Sequence, residues 1–493
     1  IHNGIFENYE EIKADLVKKG HKFISETDTE VIVHLIEELA KNLSFPEAVR
    51  GAFNQMHGLN AIIAITAKER AFVAARNGSP LCIGVGHGEN FLASDATALL
   101  PYTKEVHFMD DGELAVVKED GIQILNAKNG KRVPLKVQKL NLSVAEAEKG
   151  KYPYFLLKEI NEEAEVVARI ANTPSKEVEK AVEMIKKAWG TYFTACGTAS
   201  YAGLAATYMF ASIAKRHVNF TVGSEFPYFE DFLVPKSLLI AASQSGETMD
   251  TLEAVRAAKR HRSKILAMVN APGSSLTRLA DYTIYLKAGP EKAVLSTKAY
   301  VAKLAYFLLF AWALKGEYKK GIQVLRKTAT EITKMFKSSL EKNTLTLAKK
   351  LKKKDHIYLI GRGENYATAL EGALKIKEVS YIHAEGFAGG ELKHGVIALV
   401  EKGTPCIAIV ANDEAKEAVL SNAMELRSRG GYIVGIGPKK ESVFDYWIKV
   451  PDVGTASPIV NVVPLQLLGY HLAVVKGLDP DMPRNLAKSV TVK

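Results

Sequence analysis

Cysteine is scarce in this 493-residue chain: Cys82, Cys196 and Cys406 lie far apart and form no CxxC pair. That excludes a disulfide framework and fits a reducing, cytoplasmic setting. Twelve histidines are present but none at HExxH spacing, so neither a metal nor any other cofactor is expected. No apolar run is expected to be long enough to cross a bilayer, which argues against a membrane partner. The opening, IHNGIFENYEEIKADL, has neither the basic start nor the apolar middle of a signal peptide. It also lacks an initiator Met, so the numbering is expected to begin inside a longer gene product.

The net charge of +10 raises the question of nucleic acid. Lys and Glu alternate along the chain, however, and the densest basic run, LAKKLKKKDH (347–356), contains no interleaved aromatics. This is the pattern of a solvated helix face, and no nucleic-acid partner is expected. An anionic small substrate is compatible with the basic balance.

The length predicts two to four domains. From about residue 165, helices alternate with short apolar runs, the signature of an α/β fold with parallel, doubly wound sheets. The same order of elements occurs twice. WGTYFTACGTASYAGLAATYMF (189–210) is matched by DHIYLIGRGENYATALEGALKIKE (355–378), and SLLIAASQSGETMDTLEAVRAAKR by PCIAIVANDEAKEAVLSNAMELRSRG (405–430). Two further strand pairs follow, and each unit closes on a long apolar helix ending in Lys-Gly, at 316 and 477. Five matched elements in one order predict an internal duplication with a period of about 160 residues. The expected units are 166–320 and 335–477, with a tail at 478–493. Residues 1–140 read instead as an antiparallel α+β domain of short strands and turns, and 141–165 as the connection.

SQSGET, at the junction of an apolar run and an amphipathic helix, is the densest polar loop. A helix N-terminus offers free N–H groups and partial positive charge. Ser243, Ser245 and Thr248 add hydroxyls, Gln244 an amide, and Gly246 a close backbone approach. One such residue is ordinary capping; four polar groups in six positions predict a phosphate site held by neutral donors. ACGTAS (195–200), with Gly197 and Thr198, is the sister loop, and VLSTKAY (294–300) a third polar helix start. Cys196 is read as a small buried residue rather than a nucleophile. GRGEN (361–365) fails as a dinucleotide loop because Tyr366 takes the third small position.

In LEGALKIKEVSYIHAEGFAGGELKHG (370–395), Glu371, Lys375 and Glu378 share one helix face. Alone they read as a surface ion-pair ladder. The Gly-rich turn that follows, with Glu391, Lys393 and His394, adds groups suited to acid–base chemistry beside an anionic sugar.

SQSGET, ACGT, LSTKAY, ALKIKEVSYIHAE, ELKHG and the closing PRNLAKSVTVK together resemble the glucosamine-6-phosphate synthases, the isomerising glutamine–fructose-6-phosphate aminotransferases. HNGIFENYEEIKADLVKKGHKFISETDTEVI is similar to the later part of their glutaminase domain. The resemblance covers essentially the whole chain. It implies two tandem sugar-isomerase domains preceded by a partial glutaminase domain of the N-terminal-nucleophile type. It also implies fructose 6-phosphate as substrate, glutamine as nitrogen donor in the full-length protein, and a homodimer. By this resemblance Ser243, Gln244, Ser245 and Thr248 hold the phosphate with Thr198 and Gly197, and Val294 and Ser296 line the sugar. Lys488 forms an imine with the open-chain ketose, and Glu378 moves a proton between C1 and C2. Lys375 supports that site, and His394 opens the ring from across the dimer interface. Asn3 and Gly4 match an oxyanion-stabilising pair and Asp28 a contact to the glutamine amine.

The family's N-terminal cysteine nucleophile and glutamine-binding arginine have no match, so the chain as written is expected not to hydrolyse glutamine. Ala199 stands where the family carries a hydroxyl, with Ser200 as the expected replacement. KEINEEAEVV (158–167) departs from the family's Glu-Gln-Pro linker, which puts coupling between the halves in doubt. Two other functions fit parts of the pattern: isomerisation of phosphosugars without amination, and a non-catalytic sugar-phosphate sensor. The sensor leaves Glu378 and Lys488 without a use.

Overall fold

A computed structural model describes residues 1–119, 121–140 and 148–489. The start of the expected connection (141–147) and the end of the closing motif (490–493) lie outside the described residues.

The alternating half folds into two five-stranded sheets. In the first, the strands lie in the order Asn219–Val222, Gly190–Ala195, Ser237–Ser243, Lys264–Val269, Tyr282–Tyr285. In the second the order is His383–Ala388, His356–Gly361, Pro405–Ile409, Tyr432–Gly437, Tyr446–Lys449. Every pairing is parallel. Both sheets therefore share the doubly wound order 2-1-3-4-5, in which the direction of winding across the sheet reverses between the first and third strands. Asn219–Val222 and His383–Ala388 are edge strands absent from the duplicated pattern read in the sequence. The first is only four residues long and the second, HAEGFA, carries a glycine and two polar residues, so neither stands out as a strand.

Helices Lys298–Leu314 and Ser457–Val475 are apolar on every face because protein surrounds each of them. Gly454–Val475 is long and apolar enough to cross a membrane, contrary to the sequence expectation, but 89% of its apolar window is buried within the chain. It is the core helix of the second unit, packed on helices Glu364–Ser380 and Leu340–Leu351. Helix Gly197–Met209 packs on Glu364–Ser380, so the two units share one continuous core. The second half of the expected connection forms helix Phe155–Asn161, joined by Glu163–Ile170, and both help build that core.

Residues 1–140 form a six-stranded antiparallel sheet from His2–Gly4 to Arg132–Val133 and a four-stranded sheet. Helices Tyr9–Lys18, Asp28–Leu39 and Phe45–Gln55 pack around one core with the larger sheet. A second cluster, including Ala74, Ile83 and Ala115, fills the space between the sheets. The domain meets the first sugar unit through Arg76. Its guanidinium lies 3.2 Å from the Glu247 carboxylate and donates to Ser275 Oγ at 2.8 Å, all buried.

Candidate functional site

The loops after strands Gly190–Ala195 and Ser237–Ser243 stand on either side of the switch point of the first sheet, where open α/β folds bind ligands. Thr248 occupies the N-cap of helix Met249–Arg260, yet its side chain makes no capping bond. Its hydroxyl instead meets Ser243 Oγ at 2.9 Å. Ser243 Oγ also accepts the Gly246 N–H at 2.9 Å, and Ser245 Oγ accepts the Glu247 N–H at 3.2 Å. The loop is thus folded by its own hydroxyls, and the helix mouth is left without a side-chain cap. Gly246 has φ +72°, and a Cβ there would fall 2.0 Å from Ser274 Oγ. Only glycine fits.

The C-terminal tail reaches this loop. Ser489 Oγ donates to Ser245 Oγ at 2.9 Å. Lys488 Nζ pairs with Glu291 Oε2 at 3.0 Å and donates to the Ala293 carbonyl at 2.7 Å. Asp481 fastens the tail's root by accepting the Phe155 and Leu156 N–H groups, both at 2.8 Å. Glu291, fully buried, also accepts the Thr297 and Ala299 N–H groups at the start of helix Lys298–Leu314.

Burial opposes ionisation of Glu291, but Lys488, the Thr297 N–H and two further lysines outweigh it and hold the carboxyl at about 2. Glu159, which accepts the Lys292 and Ala293 N–H groups, is pushed up to about 8 by burial and by Glu291. The two carboxyls thus share one negative charge, and it rests on Glu291. Burial also lowers Lys303 to about 8.

Glu371, Lys375 and Glu378 are not a surface ladder. Lys375 is buried, 2.6 Å from Glu378 and 3.5 Å from Glu371. Its ammonium also donates to Thr198 Oγ1 at 2.9 Å, which bridges to Glu371 at 3.3 Å. Burial raises Glu371 to about 8 against the pull of Lys375. Thr198 therefore joins the seam between the two units rather than bonding the SQSGET hydroxyls. Ser200, the expected replacement for the hydroxyl missing at Ala199, donates its own to the Gly197 carbonyl at 2.7 Å.

Val294 is tied to the tail through its N–H on the Asp481 carbonyl at 3.0 Å. Ser296 Oγ is buried with no partner among the described residues. His394 is exposed, with no described hydrogen bond or ion pair, and is not brought to Lys375 and Glu378 within one chain. In the N-terminal domain, Gly4 at φ +135° lets strand His2–Gly4 lie against the Leu59 carbonyl, 2.0 Å from where a Cβ would sit. Asp28 accepts the Phe6 N–H at 2.9 Å and lies beside His2. Burial raises Cys82 and Cys406 to about 12 and also raises Cys196, so none is an activated thiol.

A cavity of about 520 Å³ brings both halves together, with Asn3, Arg76, Gln244, Ser245, Glu291 and Lys488 among its lining residues. The SIS domain model matches residues 184–313 and 350–476, and the glutamine amidotransferase domain model matches 1–101. The glutamine–fructose-6-phosphate aminotransferase [isomerizing] of Thermococcus kodakarensis is 43% identical over all of this chain and 84% of its own length. The chain belongs to that aminotransferase family. The Pyrococcus horikoshii member is 42% identical over the same shares. The solved C-terminal domain of the Francisella tularensis enzyme of this family covers 68% of the chain and all of its own, at 35% identity and a TM-score of 0.63. At 16% identity, the Escherichia coli tagatose-6-phosphate ketose/aldose isomerase, TM-score 0.59, shares the fold of 67% of the chain and 95% of its own.

Sequence reading missed Glu291, Glu159, Lys303, Arg76 and Glu247. Glu159 lies in the very segment that departs from the family linker, and its role depends on a turn more than 130 residues away. Glu247 was legible as part of SQSGET, but its partner Arg76 lies 171 residues earlier in another domain.

Proposed function

We propose that the chain converts fructose 6-phosphate to glucosamine 6-phosphate in amino-sugar biosynthesis, with ammonia drawn from glutamine in the full-length protein. The observation that carries this reading is the cavity shared by Asn3 of the amidotransferase-type domain, the SQSGET loop and Lys488. Neither isomerisation alone nor a sensor gives that junction a purpose.

In this reading Ser243, Gln244, Ser245 and Thr248 hold the phosphate at the uncapped helix mouth, where hydroxyl donors and the helix dipole act together. Gly197 and Thr198 close the neighbouring side, and Val294 and Ser296 line the sugar. His394, supplied by a second copy of the chain, opens the ring. The Lys488 amine adds to the C2 carbonyl, water leaves, and an imine forms. Ammonia then displaces the lysine. Glu378, positioned by Lys375, takes a proton from C1 and returns it to C2, leaving an aldehyde at C1 and the amine at C2. The tail, closed by Ser489 on Ser245, keeps water from the imine. Asn3, Gly4 and Asp28 belong to the glutamine side. Three free cysteines fit a reducing cytoplasm.

The test is to incubate the chain with fructose 6-phosphate and either ammonium or glutamine, and to quantify glucosamine 6-phosphate and glucose 6-phosphate. Glucosamine 6-phosphate is expected from ammonium, and product from glutamine would overturn the expectation that the chain as written does not hydrolyse it. Glucose 6-phosphate alone would favour the isomerase, and tight sugar binding without turnover the sensor.

A further inference from the structure

We propose that His21, His34 and Glu37 form a zinc site on the N-terminal domain, against the expectation drawn from the sequence. Three donor atoms converge. His21 Nδ1 lies 3.2 Å from His34 Nδ1, and Glu37 Oε2 lies 3.4 Å from the first and 3.0 Å from the second. Metal–ligand bonds of about 2.0–2.1 Å in tetrahedral geometry place neighbouring ligand atoms about 3.3 Å apart. The triangle has that size before any ion is present.

The outward nitrogens bear on which ring atoms are left to accept. His21 Nε2 lies 2.8 Å from Glu38 Oε2, and His34 Nε2 lies 3.8 Å from Glu30 Oε1. The Glu38 carboxylate favours N–H at His21 Nε2, which turns that ring's Nδ1 lone pair inward, and the Glu30 charge favours the same tautomer of His34. Two ring nitrogens and a carboxylate oxygen then face one point, an arrangement that a bound cation stabilises. Carboxylate–histidine–metal relays of this kind orient zinc ligands and strengthen them. Two imidazoles and one carboxylate suit zinc among the common divalent ions. The Glu37 side chain is 62% exposed, so the fourth position opens to solvent and takes water.

The site has a mechanical consequence. His21 lies in the turn after helix Tyr9–Lys18, while His34 and Glu37 lie one helical turn apart on Asp28–Leu39. An ion there clamps the turn to the helix whose first residue is Asp28. HExxH scanning misses it because the first ligand comes from another element.

The test uses the full chain stripped with a chelator and then titrated with zinc, and separately with cobalt(II). One zinc per chain is expected, with tetrahedral cobalt d–d bands and a rise in Tm on zinc addition. H21Q and H34Q are expected to weaken zinc binding at least about 100-fold, and E38Q about 10-fold through the relay. Because Glu37 is exposed, E37Q should fold normally and still lose the tetrahedral spectrum. Octahedral bands, no zinc uptake near neutral pH, or uptake unchanged in E37Q and H34Q would each overturn the assignment. A shared proton between the two rings would appear as the second of these.

Discussion

Lys488 Nζ sits 3.0 Å from Glu291 Oε2, an ion pair that joins residues 197 positions apart and fixes the tail beside the first sugar unit. Glu291 is fully buried and spends its other oxygen on the helix start at Thr297 and Ala299. The lysine proposed to attack the sugar is thus held by a carboxylate that is itself immobile. Sugar binding has to draw Lys488 off that carboxylate, which ties the tail's position to occupancy.

Lys488→Ala removes the amine but leaves the SQSGET hydroxyls untouched. Turnover is expected to fall by at least about a thousandfold while the Kd for fructose 6-phosphate changes by less than about tenfold. Steady-state kinetics and calorimetric titration check both numbers. Surviving turnover would remove the imine from the mechanism.

Gly246→Ala places a Cβ against Ser274 in a left-handed backbone position. The conformation alone costs about 1–2 kcal/mol, and the clash adds to it. The loop is expected to shift and sugar-phosphate binding to be lost, while circular dichroism still reports a folded chain.

Glu159 is raised to about 8 from an ordinary value of 4.5. A carboxyl whose folded pKa is raised gives stability that is complete below the unfolded pKa and disappears as pH climbs through the folded one. Stability is therefore expected to decline between pH 4.5 and about 8, by an amount on the order of a few kcal/mol from this group. Glu159→Gln keeps an oxygen for the Lys292 and Ala293 N–H groups and cannot ionise. Denaturant unfolding across that pH range should give a flatter profile for the variant.

Arg76 and Glu247 form a buried pair between the N-terminal domain and the SQSGET loop. Removing Arg76 strands the buried Glu247 carboxylate, at a cost of about 3–5 kcal/mol, whereas removing Glu247 costs less because Arg76 keeps Asp111 at 3.4 Å. Arg76→Met with Glu247→Gln is expected to cost less than the two singles together, with a coupling of at least about 1 kcal/mol in a double-mutant cycle. Strict additivity would mean that the two domains do not communicate through this contact.

The amino-acid sequence by itself determined the duplicated α/β architecture, the antiparallel first domain, and the family. These are written in local signals: apolar runs of strand length, amphipathic periods, and short motifs such as SQSGET whose side chains fold their own loop. It also placed Gly246 where a helix begins, because a turn that needs positive φ leaves its mark in one residue. Tertiary structure alone decided which charges are buried. Glu371 and Lys375 look like a solvated ladder until helix Gly197–Met209 covers them, and the contact of Thr198 with Lys375 and Glu371 appears only there. Glu159 with Glu291, Arg76 with Glu247, and His21 with His34 meet only after distant segments pack. Charge, protonation and metal affinity depend on solvent exclusion and on neighbours in space, and neither is encoded in the spacing of residues along the chain.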